Sequence, residues 1–528
     1  MHDYCHIDIS SPKIQPLEPF APRISGRARP SYDKSPVLGF GALKVSLMRR
    51  WLVLVLFLHA VAACNGSSLD PGSEIDQALR RLIRANGLTG DPAAGLELPS
   101  IDDPVAVLGR KLFFSKSLGG DRDSACVSCH HPTLGGGDAL ALSIGVGAED
   151  PDLLGPGRAH PDGELTVPRN APTIFNLALW ETGLFWDSRV EIVDGSDIRT
   201  PDSDYGAADP EAGDTMSAAQ ARFPVTFADE MRGFEFVLDG TNAEVHTALE
   251  LRLMEDGSWS PEFEVAFGSS EITYARIAAA IAAYEDSQVF TDTPWRAYVQ
   301  GDNDAIGEPA KRGALLFFRS TEDGGANCAS CHSGDFFTDE DFHSICAPQI
   351  GRGKGDGFKG TNDFGRARET GDRNDRFSFR TPTLSNVSVT GPYLHSGAYD
   401  NLADVVRHHL DPQAAIERFD PTSVPLAASD DFARNTQEML DFLEVSGRAI
   451  EFFEAPLAHT HGQVDDLVAF LETLTDPCVL DWACLAPWVA DPSTDDVGRT
   501  PPDRCGSRRK PSLSAELPRV RSDRAMSA

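Results

Sequence analysis

The sequence predicts an all-α chain made of two similar halves with long irregular loops, and three observations lead there. A Cys-x-x-Cys-His motif occurs twice, as Cys126-Val127-Ser128-Cys129-His130 and as Cys328-Ala329-Ser330-Cys331-His332. Each is preceded by a glycine opening a run that ends in two phenylalanines, Gly109-Arg110-Lys111-Leu112-Phe113-Phe114 and Gly313-Ala314-Leu315-Leu316-Phe317-Phe318. Each is followed by a segment whose apolar residues recur at three and four: Ile277, Ile281 and Tyr284 in 273–286, and Leu467, Phe470, Leu471 and Leu474 in 465–474. That is the period of a core helix. The stretch Ala171-Pro172-Thr173-Ile174-Phe175-Asn176 is also echoed, by Thr381-Pro382-Thr383-Leu384-Ser385-Asn386, so internal duplication accounts best for the order of parts.

The repeated motif carries chemistry. Cys-x-x-Cys-His is the attachment signature of c-type haem: two thiols reach two vinyl groups of one porphyrin, and the adjacent His swings under the iron as its axial ligand. A zinc site built from the two Cys pairs is disfavoured, because the pairs lie 202 residues apart. The chain is therefore expected to hold two covalently bound haems through Cys126, Cys129, His130, Cys328, Cys331 and His332. The glycine of each preceding run allows a close helix crossing, and the aromatic pair covers a haem edge.

In chain order, Met48-Arg49-Arg50, the apolar run from Trp51 to Leu58 and the small residues Val61-Ala62-Ala63 before Cys64 read as a signal segment too short to span a bilayer. Small residues ahead of a Cys resemble a bacterial lipoprotein signal. Residues 1–63 are thus a leader, with Met48 as the true start and Cys64 as a lipid anchor, which places the protein in the periplasm or outer envelope. A plain secretory signal is the alternative. Residues 64–100 form a tether and N-terminal extension, 101–295 the first haem domain and 296–476 the second. Residues 477–528 are a Cys-containing extension and disordered tail. The acidic stretch 194–222 reads as a long surface loop. Cys478 and Cys484 could close a small loop in an oxidising compartment, whereas no pairing follows for Cys346 and Cys505. The balance of 47 basic against 80 acidic residues, a net charge of -33, disfavours nucleic acid and suits a basic electron-carrier protein.

From about Asp102 to Asp476 the chain resembles the dihaem cytochrome c peroxidase family, which includes the MauG-like enzymes. The matching stretches include Ser143-Ile144-Gly145, Arg169-Asn170-Ala171-Pro172-Thr173, Phe185-Trp186-Asp187, Glu230-Met231 and Thr390-Gly391-Pro392-Tyr393-Leu394-His395. The resemblance implies two cytochrome c-like domains facing each other. Peroxide would react at the His130 haem, and electrons would enter at the His332 haem from a small carrier of the cytochrome c or cupredoxin type. It also implies Glu230 and Gln220 as the pocket carboxylate and glutamine, and Trp186 as an indole between the haems. A calcium ion would be held by the Asn170 side chain and the carbonyls of Thr390 and Pro392. One carboxylate over the iron can take the proton from the near oxygen of peroxide and return it to the leaving one. A homodimer is left open as an assembly.

Two departures from the family pattern bear on function. Where many relatives place a His that blocks the peroxidatic iron, sixteen residues past His130, this chain has Val146, which cannot ligate; the nearest downstream His is His160. The first haem is then expected to be open without reductive activation. Fourteen residues past His395, where typical peroxidases have Met and MauG has Tyr, the chain has His409, beside His408. Bis-histidine ligation lowers a haem's potential relative to a Met partner, which leans toward a MauG-like oxidase of a partner protein. A third reading, an electron-transfer dihaem cytochrome without catalysis, has no use for an open iron beside an acid.

Overall fold

The computed structural model describes residues 73–161, 163, 167–424, 431–446 and 460–490. The leader, Met48, Cys64, Cys505 and the tail beyond 490 lie outside the described residues. Among these residues no helix is long and apolar enough to cross a membrane.

The chain is mostly α-helical. It starts with α1 (Glu74–Ala85), closed by a capping box between Ser73 and Asp76. The first half then builds α2 (Pro104–Phe114), α3 (Met216–Ala221), α4 (Asn242–Asp256), α5 (Trp259–Phe267) and α6 (Tyr274–Asp286). The second builds α7 (Pro294–Gln300), α8 (Glu308–Phe318), α9 (Leu402–Leu410), α10 (Pro412–Arg418), α11 (Phe432–Ser446) and α12 (His461–Glu472). The two periodic segments seen in the sequence are α6 and α12.

Each half packs the helix before its Cys-x-x-Cys-His motif across its last helix, and glycine makes the crossing. A Cβ added at Gly109 of α2 would overlap the Ala280 carbonyl oxygen of α6. One at Gly313 of α8 would overlap the Asp466 carbonyl oxygen of α12. Around the first crossing lie Leu112, Phe113, Ile277, Ile281 and Tyr284, and around the second lie Ala314, Phe317, Leu467 and Phe470, all buried.

The terminal extensions pack on opposite halves. Leu79 and Ile83 of α1 are buried with Trp295 and Tyr298, and Asp76 accepts a hydrogen bond from the Tyr298 hydroxyl and pairs with Lys311 at 2.9 Å. At the other end, a Cys478–Cys484 disulfide closes a short loop. Beyond it the Trp488 carbonyl accepts from the Tyr284 hydroxyl and the Pro487 carbonyl from Arg110, both in the first half.

Two expectations need correction. The chain is not strictly all-α, because it carries two small antiparallel sheets. One has strand order β1 (Gly183–Leu184), β2 (Val190–Asp194), β3 (Asp197–Arg199), and the other pairs β4 (Phe342–His343) with β5 (Phe379–Arg380). Nor is 194–222 simply a surface loop. Asp194-Gly195 turns a hairpin, with Gly195 at φ +59°, where a side chain would be strained. Ile198 and Ala212 are core residues, buried Asp209 binds Arg222 at 2.7 Å, and the stretch ends in α3. The rest is largely exposed, at 194–197, through most of 201–208, and at 210–215 apart from Ala212.

Candidate haem site

One continuous cavity of about 390 Å³ runs through the molecule, and both Cys-x-x-Cys-His motifs line it. Each motif is a short 3-10 turn, Cys126–Ser128 and Cys328–Ser330, that carries its two thiols and its imidazole to the wall. The four cysteines form no disulfide. His130 Nδ1 lies 3.1 Å from the Gly136 carbonyl, and His332 Nδ1 lies 3.1 Å from the Phe337 carbonyl. A ring nitrogen donating to a carbonyl fixes the tautomer and leaves Nε2 free to ligate. Burial lowers both imidazole pKa values, that of His332 to about 4, so both rings are neutral, as ligation requires. The residues present fit haem c in both places.

The echoed Pro-Thr stretches now have a physical reason. Thr173 and Thr383 donate to the Gly135 and Phe336 carbonyls at 2.7 and 2.5 Å, one residue before the carbonyls that His130 and His332 bond. Each stretch is a brace behind one imidazole.

At the second motif a further imidazole stands opposite. His409 Nδ1 bonds the Val405 carbonyl one turn back on α9, and its ring centre lies 6.4 Å from that of His332. Its neighbour His408 is fully buried and committed: Nε2 donates to the Ile345 carbonyl at 2.7 Å, and Nδ1 accepts from the Tyr399 hydroxyl at 2.9 Å. No imidazole is paired with His130 in this way among the described residues. Val146 is buried but absent from the cavity wall, and His160 lies against Gly147, off the wall as well.

Glu230 and Gln220 both line the cavity near the first motif. Glu230 sits on a single π-turn, Ala228–Arg232, a distortion that often marks functional sites. Burial raises its pKa, and Arg189 and Lys354 nearby offset that only in part. Gln220 Oε1 is buried with no protein partner among the described residues. Trp186 lines the same cavity, and its indole N–H donates to the Asn170 carbonyl at 2.9 Å. Asn170 Nδ2 donates to the Leu140 and Ala141 carbonyls, which turns its Oδ1 elsewhere; Thr390 and Pro392 line the cavity with it.

The 104–304 stretch matches the family model described as di-haem cytochrome c peroxidase. The methylamine utilization protein MauG of Methylorubrum extorquens is 29% identical over 421 residues, covering 78% of this chain and 99% of that protein. The family model and this relative together support the di-haem cytochrome c peroxidase and MauG family for this chain. A cytochrome c551 peroxidase of Pseudomonas aeruginosa is 26% identical over 315 residues, 58% of this chain and 71% of its own. The fold is shared with a crystal structure of a MauG-like protein associated with microbial copper homeostasis (TM-score 0.51, 24% identity, 76% of this chain and 98% of that one). Like the family at large, the chain is a peroxidase-type oxidoreductase with two c-type haems.

Sequence reasoning missed several residues of this di-haem site. Arg169 holds Asp187 at 2.5 Å and, through both nitrogens, Asp363 at 2.6 and 2.8 Å, all three buried. Lys354, its pKa pushed down by burial to about 8, also lines the cavity, and Arg380 stacks 3.3 Å over Trp180. Arg169 lay inside a quoted motif, but its partner Asp363 is far off in sequence and no local pattern joins them.

Proposed function

We propose that the protein reduces hydrogen peroxide to water at the His130 haem, with electrons entering at the His332 haem from a small redox carrier. One observation carries this reading: the two ends of the cavity differ. At the second end two imidazoles face each other. Their ring centres are 6.4 Å apart, a separation at which His332 and His409 would both be able to hold one haem iron. His409 would therefore hold the electron-entry haem together with His332. At the first end no imidazole among the described residues faces His130, and Glu230 and Gln220 line the wall.

The haem supplies the redox equivalents that split the O–O bond. The chain's own residues handle the rest. Glu230, ionised, takes the proton from the near oxygen of bound peroxide and returns it to the departing one. The free Gln220 Oε1 and its amide orient the peroxide, and the apolar wall excludes bulk water. Trp186, held by Asn170 and with its carbonyl bonded to the Arg380 N–H of the second half, lies in the wall between the motifs as an electron relay. Asn170 Oδ1 and the Thr390 and Pro392 carbonyls would supply the hard oxygen ligands for one calcium ion, which would stiffen this seam. The echoed braces and crossings support two cytochrome c-like halves arising by duplication, with 101–295 and 296–476 as the domains. A secreted, lipid-anchored location follows from the leader alone.

A MauG-like oxidation of a partner protein is the second reading, favoured by the His332–His409 pair, since a low-potential haem is a poor acceptor from high-potential carriers. The test is peroxide-dependent oxidation of a reduced small c-type cytochrome by the fully oxidised protein without pre-reduction. Rapid turnover supports the peroxidase. A long-lived oxidised protein that the cytochrome barely discharges moves the MauG-like reading ahead, and no reaction with peroxide overturns both.

A further inference from the structure

The two crossings allow the halves to be compared position by position. Gly109 meets the Ala280 carbonyl and the Tyr284 Cβ; Gly313 meets the Asp466 carbonyl and the Phe470 Cβ. Ala280 thus corresponds to Asp466 and Tyr284 to Phe470. One residue further along, Ile281 corresponds to Leu467 and Glu285 to Leu471, and all four of these line the cavity. The second half presents two leucines to its haem. The first presents an isoleucine and a carboxylic acid.

Glu285 is 3% exposed, and its Oε2 has no partner among the described residues. An unpaired buried carboxyl costs stability, and the other half shows that leucine suits this position. The group is therefore retained for something other than packing. Burial, with Asp286 beside it, holds Glu285 protonated well above the ordinary carboxylate range. It is a proton store facing the cavity.

A hydrogen-bonded path to the surface starts at the next residue of α6, Asp286. Asp286 Oδ2 accepts from Ser217 Oγ at 2.8 Å, and Ser217 Oγ lies 3.0 Å from the Thr215 hydroxyl at the exposed start of α3. Asp286 Oδ1 is buried with no partner among the described residues, and burial raises its pKa to about 6, so it can load and release protons near neutrality. We propose that Glu285 is the proton-relay residue of the first haem cavity, reloaded from solvent through Thr215, Ser217 and Asp286.

The proposal deepens the peroxidase reading and rests on it. Reducing one peroxide to two waters breaks the O–O bond and consumes two electrons and two protons. Glu230 only moves peroxide's own proton from one oxygen to the other, so releasing the first water needs no proton from outside. Both protons from solvent are taken up when the two electrons convert the remaining oxygen to the second water. Each proton that Glu285 gives up is replaced through Asp286, so the relay returns to its starting state.

The test uses the haem-loaded protein and the variants Glu285→Gln, Glu285→Leu and Asp286→Asn. Infrared difference spectra of wild type against Glu285→Gln should show a carboxylic-acid C=O band, shifted in heavy water, that the variant lacks. Stopped-flow mixing separates oxidation by peroxide from re-reduction by a reduced small c-type cytochrome. Oxidation should keep its wild-type rate, while re-reduction slows about tenfold or more with a larger solvent isotope effect, less severely in Asp286→Asn. Should Glu285→Leu fail to load haem, the isosteric Glu285→Gln decides. The relay is overturned if no acid band is lost, if re-reduction is unchanged, or if oxidation by peroxide slows equally. A wild type that ignores peroxide but shows the band would overturn the peroxidase reading and the relay with it; a wild type that turns over alongside unaffected variants would overturn the relay alone.

Discussion

Glu230 sits where two demands conflict. As the proposed base it must be ionised, yet burial pushes its pKa up and the nearby cations Arg189 and Lys354 recover only part of the difference. Below the raised pKa the carboxyl is neutral and cannot accept peroxide's proton. The rate of oxidation by peroxide should therefore rise with pH through that value. Glu230→Gln should remove this limb and lower the rate roughly 100- to 10,000-fold, the usual worth of a positioned acid–base group, and a stopped-flow pH series checks both. The adjacent histidines on α9 separate just as sharply, since both nitrogens of His408 are already bonded and only His409 reaches the cavity. His409→Met should raise the second haem's reduction potential, as read by spectroelectrochemistry, whereas His408→Met should leave its ligation spectrum intact.

At the level of elements, Gly109 and Gly313 predict their own substitutions. A methyl at either would press on a helix carbonyl, which is backbone and cannot swing away. Gly109→Ala and Gly313→Ala should each cost about 1–3 kcal/mol in chemical denaturation and force α2 from α6, or α8 from α12. These crossings were legible in the sequence because glycine followed by paired phenylalanines has a local cause. So were the haem turns, where covalent chemistry dictates spacing, and the two last helices, where period dictates burial. The β2–β3 hairpin was readable at Asp194-Gly195 but hidden by the acidic stretch around it. Glu285 was invisible for another reason. On α6 it is one acid in an alanine-rich run, and its oddity emerges only when the crossing sets it against Leu471. The Arg169 cluster was equally out of reach, because nothing local marks which carboxylate an arginine meets after the chain has folded.

Across the whole molecule, the two halves are held by polar contacts at their seam. Asn176 and Asn386, both at left-handed φ near 60°, each donate a side-chain N–H to the Phe290 carbonyl on the link between the halves. Arg169 adds a charged clasp between Asp187 and Asp363, residues of opposite halves. Burial pushes Asp363 up, but the bidentate Arg169 more than offsets it and leaves its pKa at about 2; Asp187 is held lower still by Arg169 and Arg189. An unfolded Asp titrates near 3.9, so both groups have depressed folded values. Their contribution is present above about pH 4 and is lost as pH falls through the folded values, near 2 for Asp363 and below that for Asp187. Asp363→Asn, which leaves Arg169 short of a buried counter-charge, should cost about 3–5 kcal/mol at pH 7. It should also flatten the acid limb of the stability curve between pH 4 and 2, which denaturation of the haem-loaded protein across that range would reveal. Because Trp186 adjoins Asp187 and hangs from Asn170, next to Arg169, loosening this clasp should also slow electron transfer between the haems. An equal rate in Asp363→Asn would mean that the clasp carries stability only and that the relay geometry is set by Asn170 alone.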